Sequence, residues 1–330
     1  MQIGIDTGAL CGARFGTNIF TQNVIKALMD YDDKNKYILY SFCDKPKNLI
    51  LKDNYKYKKL LPKKLWMSFR VSLAEMLNFN DVFLSLNQAT PYTKAKIISF
   101  SHGLSFMKYK DYYKNSYNRL KNQLDTMIKK SKYIIVSSEK VKAEMLNYGA
   151  LENQIRIINF GIPYDFIKSI TRKPQKYFLF TGINYPIKNI DLVVKCFQKF
   201  SEEIDDSYKL YLVTNLNKGY SNKNIYQIKK ISRKKLKKIY ANAKAYLSAS
   251  YYESFNFPVL EALSQRCPVI ALKSSIIPEM TKYVNLAENM SEFISLMDRL
   301  IKNKTNGIDI SSLKKQFNWK NYALQLCSLY

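Results

Sequence analysis

Glu253 and Glu261 stand eight positions apart around a proline in the segment ESFNFPVLE. The preceding run AKAYLSAS (243–250) reads as a buried strand, and Pro258 sits where a helix would begin, because its missing N–H costs nothing in a first turn. In a parallel α/β sheet such a loop lies at the carboxyl edge of the strands. There the helix's unpaired N–H groups and positive dipole end favour an anion such as a phosphate. Glu261, one turn into the helix, is placed to accept hydrogen bonds from vicinal hydroxyls. Spacing alone leaves a second reading equally open, two solvated glutamates flanking an ordinary βα turn. Three further features have chemical potential. Lys188 lies in the loop GINYPIKN after the strand KYFLF, Gly12 and Gly16 frame the loop after the first strand, and His102, the only histidine, ends the strand KIISFSH. Each has a plain alternative: a solvated lysine, glycines used for turn geometry, a structural histidine.

These features require elements to hold them. Apolar runs at 2–6, 36–41, 81–86, 95–100, 132–137 and 154–159 predict strands, with helices over 17–30, 64–78, 109–130 and 138–148. The pattern restarts after Pro163, with strands near 176–181, 208–214, 225–228, 244–249 and 268–272 and helices near 189–203, 233–242, 258–265 and 289–303. Such alternation predicts an α/β protein of two parallel, doubly wound sheets. A chain of 330 residues exceeds the size at which one core usually stops growing, which agrees with two domains of about 150 residues each.

Taken together, the segments resemble family 4 glycosyltransferases, retaining enzymes of the GT-B fold. ESFNFPVLE is similar to the family's E-x7-E motif, IGIDTGALCGARFGTNIFTQNVIKAL (3–28) to its first strand, glycine-bearing loop and helix, and SFSHGLSF (99–106) to the strand end with its histidine. YIIVSSEKVKAEMLNYGALENQIRIINFGIP (133–163) resembles the close of the first domain, FLFTGINYPIKNIDLVVKCF (178–197) the opening of the second, and FNWKNYALQLCSLY (317–330) the final helix. The resemblance implies two Rossmann-like domains facing an interdomain cleft. An acceptor domain would span 1–168, completed by 313–330, and a nucleotide-sugar donor domain 169–312.

It implies further that His102, Glu253 and Lys188 are catalytic. His102 would bond sugar and diphosphate oxygens, Glu253 the donor-sugar hydroxyls, and Lys188 the diphosphate, on which negative charge grows as the glycosidic bond breaks. Donor contacts would come from Gly12, Gly16, Arg14, Phe255, Asn256, Phe257, Glu261, which would hold the ribose, and Glu279. The implied reaction moves a hexose from a GDP- or UDP-sugar to a glycan or lipid-linked glycan in surface polysaccharide synthesis, with no metal and no cofactor beyond the donor substrate. Four departures stand out: Ile183 where many members have arginine, Gly103 where aspartate is frequent, and Asn256 and Arg266 where glycine is common. Arg14 is a candidate to replace the missing arginine. An epimerase or phosphorylase of the same fold, and a non-catalytic basic binding protein, remain as alternatives.

Charge is the other large fact. Fifty-three Lys and Arg against 26 acids give +27, which suits a polyanion, an anionic membrane or an acidic substrate. In 51–77 lysines lie beside Leu60, Leu61, Leu65 and Trp66, ahead of the helix LWMSFRVSLAEML. That arrangement fits an anionic lipid surface, or a solvated basic face; the resemblance favours the first, and nucleic acid is not expected as a partner. The run KKISRKKLKK (229–238) predicts a helix from Ser232 with Leu236, Ile239 and Tyr240 inward and the lysines on a surface face. No apolar run reaches the ~18 residues of a membrane span, and MQIGID reads as a strand instead of a signal peptide. Five cysteines without metal-like spacing predict reduced thiols in a cytoplasmic protein, peripheral on the membrane at most, with Cys196 and Cys267 in the cores.

Overall fold

Apolar segments too short for helices and buried on both faces build the centre of two sheets. The computed structural model describes residues 1–12, 16–216, 219–220, 222–302 and 308–330. Packing divides the chain into two units, Met1–Gly161 with Asn318–Tyr330, and Ile162–Phe317.

In the first unit β1 (Gln2–Asp6), β2 (Lys36–Ser41), β3 (Tyr55–Lys59), β4 (Val82–Ser85), β5 (Lys96–Ser101), β6 (Tyr133–Val136) and β7 (Ile155–Ile157) form one parallel sheet in the order β3-β2-β1-β4-β5-β6-β7. In the second, β8 (Tyr177–Thr181), β9 (Lys209–Val213), β10 (Ile225–Ile228), β11 (Ala245–Ser248), β12 (Val269–Leu272) and β13 (Asn285–Ala287) form another in the order β10-β9-β8-β11-β12-β13. The central strands β4, β8 and β11 are buried throughout, as parallel strands covered on both faces must be. β3 and β13 are two strands the apolar runs do not announce. β3 reads YKYKK, with Lys56, Lys58 and Lys59 exposed, because an edge strand needs no second neighbour and its lysines discourage one.

Helices connect the strands: α1 (Gly16–Tyr31), α2 (Ser72–Leu77), α3 (Ser105–Lys108), α4 (Tyr117–Lys130), α5 (Glu139–Tyr148), α6 (Ile190–Glu203), α7 (Arg233–Asn242), α8 (Phe257–Ser264), α9 (Met290–Lys302), α10 (Ile310–Gln316) and α11 (Trp319–Cys327). Local chemistry sets their ends. Ser138 caps α5 by accepting from the Val141 amide, and Gly149, at φ 108°, stops it in the left-handed region that glycine adopts without strain. α11 belongs to the first unit, where Trp319 stacks on Phe160 at 6.4 Å and Tyr322 meets Phe20 edge-on. Gly161 is required there, since a Cβ would come within 2.5 Å of Trp319 Cδ1. The core of the second unit is built from Phe178, Phe197 and Phe200 against Leu210, Leu247, Phe293 and Met297. Burying each such side chain contributes about 1.5–3 kcal/mol before chain entropy is counted.

The unit boundaries fall at 161/162 and 317/318, in place of 168/169 and 312/313. Both shifts have a packing cause. Phe166 lies edge-on to Tyr240 at 5.8 Å and Asp165 pairs with Arg233, so 162–168 goes with the second unit. At the other end α10 and Phe317 join it, through Tyr283 with Gln316 and Phe255 with Phe317.

Candidate functional site

In both sheets the strand order reverses once, between β1 and β4 in the first and between β8 and β11 in the second. Chains leaving adjacent strands at such a point diverge to opposite faces, and the crevice outside their carboxyl ends is where open α/β sheets bind ligands.

At the second switch point the loop 182–189 leaves β8 and the loop 249–256 leaves β11. Two bonds tie them together, Tyr251 N to the Ile187 carbonyl at 2.9 Å and Asn189 Nδ2 to the Ala249 carbonyl at 3.1 Å. This brings Lys188 to Glu253, residues far apart in sequence: Lys188 Nζ donates to Glu253 Oε1 at 2.6 Å, and Ser250 Oγ donates to the same oxygen at 2.7 Å. The side chains are 22% and 12% exposed, so the pair is reachable but poorly screened. An ammonium beside a carboxylate here can exchange partners, the ammonium taking an anion and the carboxylate taking hydroxyl donors.

Asn256 closes the loop at φ 74°, ψ 69°, a left-handed conformation that asparagine tolerates. Its side chain accepts from the Val259 amide at 3.3 Å and donates to Ser248 Oγ and the Ser275 carbonyl, so it caps α8 and fixes the turn. Arg266 is also left-handed, at φ 59°, and exposed. Both positions thus keep a backbone that glycine would favour. Phe255 and Phe257 are buried with their rings 5.2 Å apart, so their side chains serve the core.

Glu261 is 3% exposed and engaged: Arg233 NH2 lies 2.7 Å from its Oε1. Arg233 also holds Asp165, through Nε to Oδ2 at 2.7 Å and NH2 to Oδ1 at 3.1 Å, and lies over the Phe166 ring at 4.4 Å. Burial pushes the Glu261 carboxyl above its ordinary value, while Arg233 and the Tyr240 hydroxyl pull it down. The arginine is held above its own ordinary value by the two carboxylates, against the opposing effect of burial. The lysine-rich helix is therefore not wholly a surface face. Ser232 caps it and Leu236 and Tyr240 point inward as the periodicity predicts, while Ile239 is only half-buried, and its first residue reaches into the site. Glu279 is half-buried in the turn Pro278–Tyr283 after β12, where its carbonyl accepts from Gln316 Nε2 at 3.3 Å.

In the first unit, Gly12 ends the short helical turn Gly8–Cys11. Asn18 Nδ2 holds that loop through the carbonyls of Ala9 at 3.0 Å and Gly12 at 3.3 Å. A Cβ at Gly16 would meet no atom of the described residues within 4 Å. Arg14 lies outside the described residues. His102 follows β5, edge-on to Phe20 at 5.0 Å. Its Nε2 contacts the Leu86 carbonyl at 2.7 Å; a carbonyl only accepts, so Nε2 carries the proton. Burial lowers its pKa, which leaves a neutral ring with Nδ1 unprotonated.

Sequence reasoning missed Asp6 and Arg233. Asp6 ends β1 at the first switch point, accepts from the Gly8 amide at 2.9 Å and Asn87 Nδ2 at 3.1 Å, and is pushed up to about 6 by burial. An acid closing the otherwise apolar QIGID was a usable signal, as was the single arginine among lysines in KKISRKKLKK. The reduced-thiol expectation is corrected for one pair. Cys11 and Cys43 are disulfide-bonded, Cα to Cα 5.6 Å, because β1 and β2 are parallel neighbours and deliver the two loops to the same edge. Cys196 and Cys267 are fully buried, and burial pushes both thiols up to about 12.

Residues 162–324 match the family model of glycosyl transferases, group 1. O-antigen chain mannosyltransferase B of Escherichia coli is 21% identical over 278 residues, 73% of this chain and 71% of that protein. An uncharacterized glycosyltransferase of Methanocaldococcus jannaschii is 24% identical over 259 residues, 69% of this chain and 66% of its own. Among solved structures, sucrose-phosphate synthase of Thermosynechococcus elongatus superposes with a TM-score of 0.75 at 15% identity, covering 100% of this chain and 98% of that one. WaaG, a glycosyltransferase involved in lipopolysaccharide biosynthesis, superposes at 0.71 and 13% identity, covering 100% and 96%. The fold is thus GT-B, two parallel-sheet Rossmann-like units, and the likenesses together support a glycosyltransferase.

Proposed function

We propose, from a GT-B fold whose second unit matches the group 1 glycosyl transferases, that this chain is a retaining, metal-independent glycosyltransferase. It moves a hexose from a GDP- or UDP-sugar to a glycan or lipid-linked glycan in surface polysaccharide synthesis. The observation that carries this is the Lys188–Glu253 pair at the switch point of the second sheet. A sugar nucleotide presents one anion and many hydroxyls, and this pair offers one cation and one acceptor. In the reaction the bond from the anomeric carbon to the diphosphate oxygen breaks, and a bond to the acceptor oxygen forms on the same face. The acceptor's proton passes to the departing phosphate. Lys188 and the backbone amides at 255–257 would stabilise the growing negative charge, and Glu253 the hydroxyls and positive charge of the sugar. Glu261 would hold the ribose from its place beside Arg233, and His102 would bond sugar and phosphate oxygens. The name of the Escherichia coli relative, a mannosyltransferase, favours a mannosyl donor.

The test is a nucleotide-sugar panel in which donor hydrolysis is followed by mass detection, with and without free phosphate. The expected result is slow hydrolysis of one donor, unaffected by phosphate. Glu253→Gln and His102→Ala should cut turnover at least about a hundredfold, the scale of one lost transition-state contact, and Glu261→Ala should mainly raise the donor KM. Wild-type rates in all three variants would sink the assignment.

A further inference from the structure

The loop that follows β1 is held differently at its two ends. Near the strand, Thr7 N and Oγ1 both donate to the Tyr40 carbonyl, at 2.9 and 2.7 Å. Gly8 packs so closely there that a Cβ would come within 3.1 Å of Phe42 and 3.2 Å of Trp66. At the far end, Cys11 is joined to Cys43 in the loop after β2. Beside that link stand longer bonds, Gly12 N to the Ala9 carbonyl at 3.2 Å and Asn18 Nδ2 to the Gly12 carbonyl at 3.3 Å. The sheet does not depend on the link, since β1 and β2 already pair from Gln2 against Lys36 to Asp6 against Tyr40. What the sulfurs restrain is the end of the loop. They also lie among hydroxyls: Ser41 Oγ is 3.1 Å from Cys11 Sγ and 3.5 Å from Cys43 Sγ, and Tyr57 Oη is 3.8 Å from Cys43 Sγ. Thiols released there would find hydrogen-bond partners in place, so the opened form strands no sulfur. Both cysteines are half-buried and open to a small thiol, in contrast to the fully buried Cys196 and Cys267.

We infer that Cys11–Cys43 is a site of reversible thiol–disulfide exchange that clamps residues 8–12 at the first switch point. A dithiol reductant attacks one sulfur, the bond between Cys11 and Cys43 breaks, and a mixed disulfide forms. The reductant's second thiol then closes its own disulfide, and two electrons and two protons end on Cys11 and Cys43. With the bond closed, Cys11 and Gly12 are ordered before a ligand arrives. With it open, the ligand must order them, and fixing the backbone of even one residue is enough to weaken binding about fivefold. The effect on the donor rests on the proposed function, in which this loop meets the sugar nucleotide. A merely structural crosslink would act differently. It would stabilise the first unit as a whole by restricting its unfolded chain, and would leave the loop's own motions and the donor KM unchanged.

The experiment equilibrates the whole chain in oxidised glutathione or in dithiothreitol, then alkylates it and reads the masses of the peptides that carry Cys11 and Cys43. The pair should be closed in the first and open in the second, and should close again when dithiothreitol is exchanged for oxidised glutathione. On opening, amide hydrogen exchange should rise at least about fivefold in peptides covering 8–12 and 42–44, and stay unchanged in one covering 133–136 of β6. The donor KM should rise about fivefold at the same step, with kcat little changed. Cys43→Ser should hold both readings at their reduced values whatever the reductant, and Cys327→Ser should leave the response intact. Cys11→Ser replaces Cys43→Ser should that variant fail to match the native circular dichroism. No pairing in oxidised glutathione, a pair that dithiothreitol leaves closed, or exchange that rises equally in every peptide or not at all in 8–12 overturns the inference. A donor KM that ignores an otherwise complete response refutes the clamp's role at the site. A chain that turns over no donor in either state refutes the proposed function, and the masses and exchange rates still decide the inference.

Discussion

Arg233 and Glu261 are the partners whose removal should be least symmetric. Glu261 is nearly inaccessible, and Arg233 supplies its ion pair; Arg233 keeps a second carboxylate, Asp165, on its other edge. Glu261→Gln therefore leaves the guanidinium paired and the amide oxygen still able to accept, at a cost of about 1 kcal/mol. Arg233→Met strands a buried carboxylate, for which removal of one partner costs about 3–5 kcal/mol unless the group neutralises. Neutralisation sets the ceiling. From an ordinary value of 4.5, holding the carboxyl protonated at pH 7 costs about 3 kcal/mol at 1.36 kcal/mol per pH unit, and at pH 5 less than about 1.

The sign follows from linkage. The folded-state pKa of Glu261 lies above its ordinary value, so its contribution to stability is fully present below 4.5 and is lost as pH rises through the folded value. Arg233 limits that rise. Without it the window of loss extends to higher pH, so the variant's deficit should be larger at pH 7 than at pH 5, by up to about 2 kcal/mol. The assay must report the second unit, and tryptophan fluorescence does not, because Trp66 and Trp319 both lie in the first. Amide hydrogen exchange of peptides covering 233–242 and 257–264 does. Equal losses for the two single variants, or a deficit for Arg233→Met that ignores pH, would refute the reasoning.

Two other expectations rest on single residues. Asn256→Ala should cost about 3 kcal/mol, from a left-handed backbone forced on alanine and a lost helix cap, and Asn256→Gly should recover about half; urea unfolding by circular dichroism showing glycine no better than alanine would count against this. Asp6, raised to about 6 from 3.8, contributes stability that is present below 3.8 and lost as pH rises through 6, about 3 kcal/mol in all. Asp6→Asn gives up one bond, to Asn87 or Gly8, worth about 1 kcal/mol, so the variant should be the more stable protein at pH 8 by about 1–2 kcal/mol. Tryptophan fluorescence reads this unit, and an unchanged slope between pH 4 and 7 in the variant would contradict it.

What the sequence discloses and what it hides divide along a physical line. Features decided within one turn of chain are legible. The run at 243–250 reads as a buried strand, Pro258 marks the start of a helix, and Ser232 caps α7. Features decided by which elements become neighbours are not. β3 escapes notice because its lysines belong to an edge, and Cys11 meets Cys43 only because β1 and β2 pair in parallel. The site shows the same division within a single motif. Glu253 and Glu261 look equivalent in the sequence, two carboxylates one helix start apart. In the fold they face different cations. Glu253 meets Lys188 on a loop that remains partly open, where partners can exchange for a ligand, and Glu261 meets Arg233 in the interior, where they exchange only at high cost. The eight-residue spacing thus places two carboxylates, while the elements packed around them decide that one is partly open beside Lys188 and the other is closed in beside Arg233.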